Sequence, residues 1–238
     1  MTAMKVKVML FCTLSVILFT ALLGTALLGK ITANQVEEEL CFVIDAGHGG
    51  EDGGAVSFSG VKESELNLSV SKKLNGILGL FGIQSEMSRS SEEITYPETA
   101  KTIKERKLLD MKQRIALTES LPRPVFISIH QNKFPTAAPK GAQIFYNQNS
   151  MSVRLAEYAE AQFNRVLPAV RASKQIDDTI YIMRNIRCPA ILVECGFLSN
   201  PTELLLLQTE NYQTKLAMAL AVSCIDCKGE LERYYGEG

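Results

Sequence analysis

Four side chains mark where this 238-residue chain can do chemistry. The chain holds only two histidines, and each directly follows an apolar, strand-like run. His48 follows "CFVIDAG", and His130 ends "PVFISIH". Glu194 ends a third such run, "AILVE". Glu63 stands after the glycine-rich stretch "GHGGEDGGAVSFSG", at the start of a helical pattern. In a layered α/β domain, ligands bind outside the carboxyl ends of the strands, so His48, His130 and Glu194 fall on one rim. The short glycine loop folds back beside the first strand and brings Glu63 to the same place. Two neutral imidazoles and one carboxylate form the ligand set of a catalytic zinc, with a fourth position left to water. Zinc lowers the pKa of bound water to about 7. Glu194, the remaining acid, can take that water's proton and pass it to a leaving amine.

Each residue also has a plainer reading. A histidine at a strand end can be a hydrogen-bonded structural residue. Glu63 can be an acid favoured at a helix N-terminus by the macrodipole. Glu194 lies between "ILV" and "CGF" and can be held by a buried salt bridge, since an unpaired acid there is costly. The glycines of "GHGG" can serve only a tight turn.

The elements that must position these groups are legible as alternating patterns. Strands are expected at "CFVID", "IQSEMS", "PVFISIH", "GAQIFYN", "TIYIMR" and "PAILVECG". Helical spacing runs from Leu66 to Phe81, and helices follow in "KERKLLDMKQRIALTES", "SVRLAEYAEAQFNRVL", "NPTELLLLQ" and "NYQTKLAMALAVSCI". The tail "KGELERYYGEG" reads as polar and mobile. Strands alternating with helices predict a three-layer α/β/α single domain with a mostly parallel mixed sheet.

The first thirty residues stand apart. Lys5 and Lys7 precede residues 8–29, which carry no charge. As a helix that stretch spans roughly 33 Å at about 1.5 Å per residue, enough to cross a bilayer core. It reads as a retained anchor or as a cleaved secretory signal. The lysines before it place the N-terminus in the cytoplasm and the rest outside. The expected divisions are therefore 1–33 as anchor or signal, 40–227 as catalytic domain and 228–238 as polar tail. Net charge is -1 with no basic block, which argues against nucleic acid as partner. Of six cysteines, Cys12 falls in the apolar span, and Cys41 and Cys195 in buried strands. Cys188 is the fourth, and Cys224 and Cys227 form "CIDC", a disulfide or a pair of free thiols. A structural zinc there would need two more ligands, and no second pair stands nearby.

The stretches "VIDAGHGGEDGGA", "KESELNL", "FISIHQN", "GAQIFY" and "PAILVECGFLSNPTE" resemble the successive motifs of the zinc-dependent N-acetylmuramoyl-L-alanine amidases, the Amidase_3 family. The resemblance runs from about residue 41 to 225, in the family's motif order. It implies that His48, Glu63 and His130 are zinc ligands and that Glu194 is the catalytic glutamate. It implies cleavage of the amide between the lactyl group of N-acetylmuramic acid and L-alanine, on glycan strands bearing stem peptides. The short chain, with an apolar N-terminal segment and no wall-binding repeats, is most similar to sporulation members. That implies work on spore-cortex peptidoglycan, preparing muramic acid for conversion to muramic-δ-lactam. Some members hold an inserted helix over the zinc, and the connection "NKFPTAAPKG" leaves no room for one. Restraint would then come from elsewhere, such as a regulatory protein partner. Two other functions fit the residues: an exported zinc peptidase acting within the stem, and a non-catalytic wall-binding regulator.

Overall fold

The computed structural model describes residues 39–237, and the 8–29 segment and Cys12 lie outside them. Among the described residues no helix is long and apolar enough to cross a membrane. Six strands form one sheet: β1 (Cys41–Ala46), β2 (Ser85–Met87), β3 (Pro124–Asn132), β4 (Ala142–Tyr146), β5 (Val170–Gln175) and β6 (Ala190–Phe197). Their order is β2-β1-β3-β6-β4-β5. β2, β1, β3 and β6 run parallel, and β4 turns antiparallel to β6 and carries β5 parallel to itself. The sheet is thus mixed and mostly parallel.

Among the described residues six helices accompany it: α1 (Glu63–Leu80), α2 (Ile103–Glu119), α3 (Ser150–Val166), α4 (Tyr181–Asn185), α5 (Pro201–Leu207) and α6 (Glu210–Gly236). Two apolar clusters cover opposite faces of the sheet. Phe42, Ile44, Val125, Ile127, Ile129, Ile191 and Val193 join residues of α1, α3 and α6. Val43, Phe126, Ala190 and Leu192 meet Ile182, Met183 and Ile186 in and after α4, with Ile115 of α2 packed against them. Side chains alternate across a strand, which explains the split.

The same alternation builds the site. On the second face, Val43 is followed by Asp45, Phe126 by Ser128 and His130, and Leu192 by Glu194. Each central strand is therefore apolar at its base and polar near its carboxyl end. The parallel register sets Asp45 beside Ser128 and His130 beside Glu194. α2 turns a polar stripe inward: its buried residues are Arg114 and Thr118. A capping box between Thr102 and Glu105 fixes its start.

Three expectations are corrected. "TIYIMR" is not a strand: Tyr181–Asn185 form α4, whose Ile182 and Met183 pack on the sheet. β5 was not expected, because "VRASKQ" carries little apolar signal as an edge strand. Residues 228–236 continue α6 instead of trailing as a mobile tail. Leu231 is fully buried there, and the Tyr235 hydroxyl donates to the Pro124 carbonyl. Cys224 and Cys227 lie in α6 as buried free thiols.

Candidate metal centre

The structure brings all four residues read from the sequence to one cavity of about 580 Å³. Among the described residues, His48, Glu63 and His130 form the one group able to hold a metal ion, with donor atoms all within 4.8 Å of one another. Glu63 lies between the two rings. Its Oε1 is 2.8 Å from His130 Nδ1, and its Oε2 is 3.3 Å from His48 Nε2. The rings meet edge to face at 5.0 Å.

Backbone groups fix the Glu63 carboxylate. Gln131 N donates to Oε1 at 3.1 Å, and Ala55 N donates to Oε2 at 2.8 Å. Asn67, one turn along α1, donates to Oε1 at 3.4 Å and to the Gly47 carbonyl at 3.0 Å. Glu63 is 3% exposed. Burial alone would raise its pKa, but the two histidines outweigh that and hold it far below the carboxylate range. Glu63 does open α1, so the macrodipole favours its charge at the position that also brings it between the two rings.

His48 sits in the left-handed region at φ 61°, uncommon for a residue with a Cβ. Its backbone is held by Arg114, whose Nη2 donates to the His48 carbonyl at 2.7 Å. Arg89 holds the two residues before it, donating to the carbonyls of Ala46 and Gly47 at 2.9 and 3.2 Å. Asp52 fixes the ring, with Oδ2 2.9 Å from Nδ1. That contact leaves Nε2 facing Glu63. Burial works against the imidazolium, but Asp52 and Glu63 prevail and raise the His48 pKa to about 9.

Two glycines of the loop are explained by this crowding. A Cβ on Gly47 would fall 2.4 Å from His130 Nε2. A Cβ on Gly54, at φ +66°, would fall 2.6 Å from both Glu63 Oε2 and His48 Cδ2. The glycines therefore clear space for the three donors as well as making the turn.

Glu194 completes the rim from β6. Among the described residues no salt bridge holds it. Its Oε2 is buried with no hydrogen-bond partner among the described residues. Burial raises its pKa to about 7, with His130 lowering it and Glu63 raising it. A buried acid held near neutrality beside a donor cluster is suited to proton transfer. The donor set, the orienting Asp52 and this unpartnered oxygen together fit a bound metal.

The sequence reading missed the supporting residues. Asp45 was seen only as the end of an apolar run. It accepts from Ser128 Oγ at 2.6 Å and from Arg114 Nη1 at 3.1 Å. Arg114 also meets Asp110 at 2.5 Å. Arg89 and Gln131 gave no signal because each lies just past an expected strand, and Asn67 because it lies inside a helical pattern that predicted only an element.

Comparison with known proteins agrees with this geometry. The family model described as N-acetylmuramoyl-L-alanine amidase matches residues 42–225. The germination-specific N-acetylmuramoyl-L-alanine amidase of Bacillus subtilis (strain 168) is 36% identical over 179 residues, covering 74% of this chain and 75% of the relative. The structure of the CwlD amidase from Clostridioides difficile, in complex with the GerS lipoprotein, superposes with a TM-score of 0.75 at 31% identity, covering 81% of this chain and 99% of that one. The catalytic domain of CwlV, from Bacillus (Paenibacillus) polymyxa var. colistinus, gives 0.67 at 29% identity, covering 79% and 97%. With the matched residues spanning the sheet and every member of the His48–Glu63–His130–Glu194 cluster, the chain belongs to the Amidase_3 family of N-acetylmuramoyl-L-alanine amidases.

Proposed function

We propose that this chain is a zinc amidase that cleaves the bond between the lactyl carbonyl of N-acetylmuramic acid and the nitrogen of L-alanine. The observation that carries the reading is the convergence of two imidazoles and a carboxylate beside a buried, unpartnered acid. His48, Glu63 and His130 would hold the ion. A bound zinc supplies Lewis acidity, polarising the scissile carbonyl and making water more acidic. The remaining steps belong to the protein. Glu194 accepts a proton from the water as it attacks the carbonyl carbon. It then delivers that proton to the alanine nitrogen as the C–N bond breaks. The products are a lactyl carboxylate and a stem with a free alanine amino group. Asp52 keeps the His48 ring oriented throughout. Digestion of purified peptidoglycan tests this: intact stems with new L-alanine amino termini are expected. Cuts within the stem would instead make it a peptidase, and no cleavage would make it a binding protein.

The setting we infer is spore-cortex maturation, with the product passed on for muramic-δ-lactam formation. The sporulation-type motifs and the germination-specific relative support this. The CwlD–GerS complex supports a protein partner for this chain also. Residues 8–29 would hold the catalytic domain at the outer face of the membrane.

A further inference from the structure

The cavity around the cluster is lined by five carboxylates, Asp45, Asp52, Glu63, Asp110 and Glu194, and by three lysine or arginine side chains. Two of these cations are already matched. Arg114 pairs with Asp45 and Asp110, and Lys107 Nζ lies 2.8 Å from Asp52. Lys133 is different. It follows β3 three residues after His130 and forms no ion pair among the described residues. Its Nζ donates to a neutral acceptor, the Val56 carbonyl, at 2.7 Å. It also sits over the Phe58 ring at 5.6 Å. An ammonium has three donors, so this contact leaves two free. Phe58 is 84% exposed, a large apolar group held out of the core beneath the Lys133 ammonium. The loop that carries both Val56 and Phe58 also supplies the Ala55 amide that fixes Glu63. An unmatched cation is thus anchored beside the reacting centre, facing an otherwise acidic cavity.

We propose that Lys133, seated on Val56 and Phe58, is a subsite for a carboxylate of the stem peptide. This rests on the amidase reading above. The glycan on the other side of the scissile amide offers hydroxyls and acetamides, which do not call for an unpaired cation. The stem does carry carboxylates, and the residue after alanine is glutamate joined through one carboxyl group with the other free or amidated. A free carboxylate there forms an ion pair with Lys133, and an amide does not. The subsite would therefore select stems by the charge next to the cut.

The test compares two muropeptides that differ only in whether this carboxyl is free or amidated, using the zinc-loaded full-length chain. The wild type is expected to favour the free acid by about 2- to 5-fold in kcat/KM, the size of an ion pair at an exposed site. Lys133→Met should cleave the two equally, with activity on the amidated substrate and zinc content unchanged. Lys133→Arg should keep the preference. Equal cleavage of both by the wild type, or a preference surviving in Lys133→Met, would overturn the subsite. Equal loss on both substrates together with loss of zinc would also overturn it, making Lys133 a strap for the Glu63 loop. Failure to cut either substrate between lactyl and alanine would overturn the amidase reading and the subsite with it.

Discussion

His130 and Glu194 are register partners on the adjacent parallel strands β3 and β6. Paired residues of neighbouring strands point to the same face, so the strand register alone sets a candidate ligand beside a candidate proton carrier. Glu63 reaches the same rings from α1. The two glutamates should therefore fail differently. Glu63→Ala is expected to lose zinc and activity together. Glu194→Gln keeps the shape but cannot accept a proton, and should keep zinc while losing roughly 10²- to 10⁴-fold in turnover. Zinc content and amide hydrolysis measured side by side decide this. The reverse pattern would exchange the two roles, and near-normal turnover in Glu194→Gln would leave Glu194 without one.

The raised pKa of Glu194 has a signature in stability. Its ordinary value of 4.5 rises to about 7 in the folded protein, first through burial. Between those values the folded state holds a proton that the unfolded state has released. Stability is thus fully present below pH 4.5 and falls as pH rises through about 7. The shift corresponds to roughly 3 kcal/mol. Urea unfolding in chelator should show Glu194→Gln gaining on the wild type by roughly 2–3 kcal/mol between pH 4.5 and pH 8. Parallel pH curves for the two proteins would contradict the burial account.

Much of this was legible beforehand, for reasons that particular residues show. β1, β3 and β6 are buried on both faces, so "CFVID", "PVFISIH" and "AILVE" read as continuous apolar runs with the polar residue at the end. The chemistry lay at those ends. α4 was misread because Ile180, Ile182 and Tyr181 imitate a strand over six residues, too short for the helical period to declare itself. Arg89 and Arg114 were invisible for another reason. A buried arginine in a polar helix or after a short strand looks like a surface charge until its acceptors, the carbonyls of Ala46, Gly47 and His48, are placed.

Zinc binding should be coupled to protons through His48. A ligating imidazole must be neutral, yet Asp52 and Glu63 raise the His48 pKa to about 9. Below that pH the ion must displace a proton, so affinity should fall by up to tenfold per pH unit. Calorimetry in buffers of different ionisation enthalpy should detect release of about one proton or more per zinc at pH 7.5. Affinity that is flat from pH 6.5 to about 8.5, with no proton release, would contradict it.

The apolar 8–29 segment should keep the protein with the membrane fraction, at its outer face. Fractionation and intact mass check this together. A soluble product shortened by about thirty residues would identify a cleaved signal instead.

Arg114 should be the most costly charge to remove outside the cluster itself. It is 5% exposed, and it meets Asp45, Asp110 and the His48 carbonyl at once. Asp45 is fully buried, and its carboxyl is held below the ordinary range: burial opposes this, but Arg114 and Ser128 outweigh it. Arg114→Met would strand that carboxylate without its cation. Breaking a buried pair in this way typically costs about 3–5 kcal/mol. Arg106→Met is the control, since its partner Glu51 is solvent-exposed; such pairs contribute about 0–1 kcal/mol. Urea unfolding of both variants should separate them by several-fold. The His48 carbonyl also loses its donor in Arg114→Met, at a residue already in the left-handed region. Zinc affinity should therefore fall in Arg114→Met and stay unchanged in Arg106→Met. Equal stability losses would show that Arg114 is screened like a surface charge. A stability loss with unchanged zinc affinity would show that the His48 turn holds its shape without it.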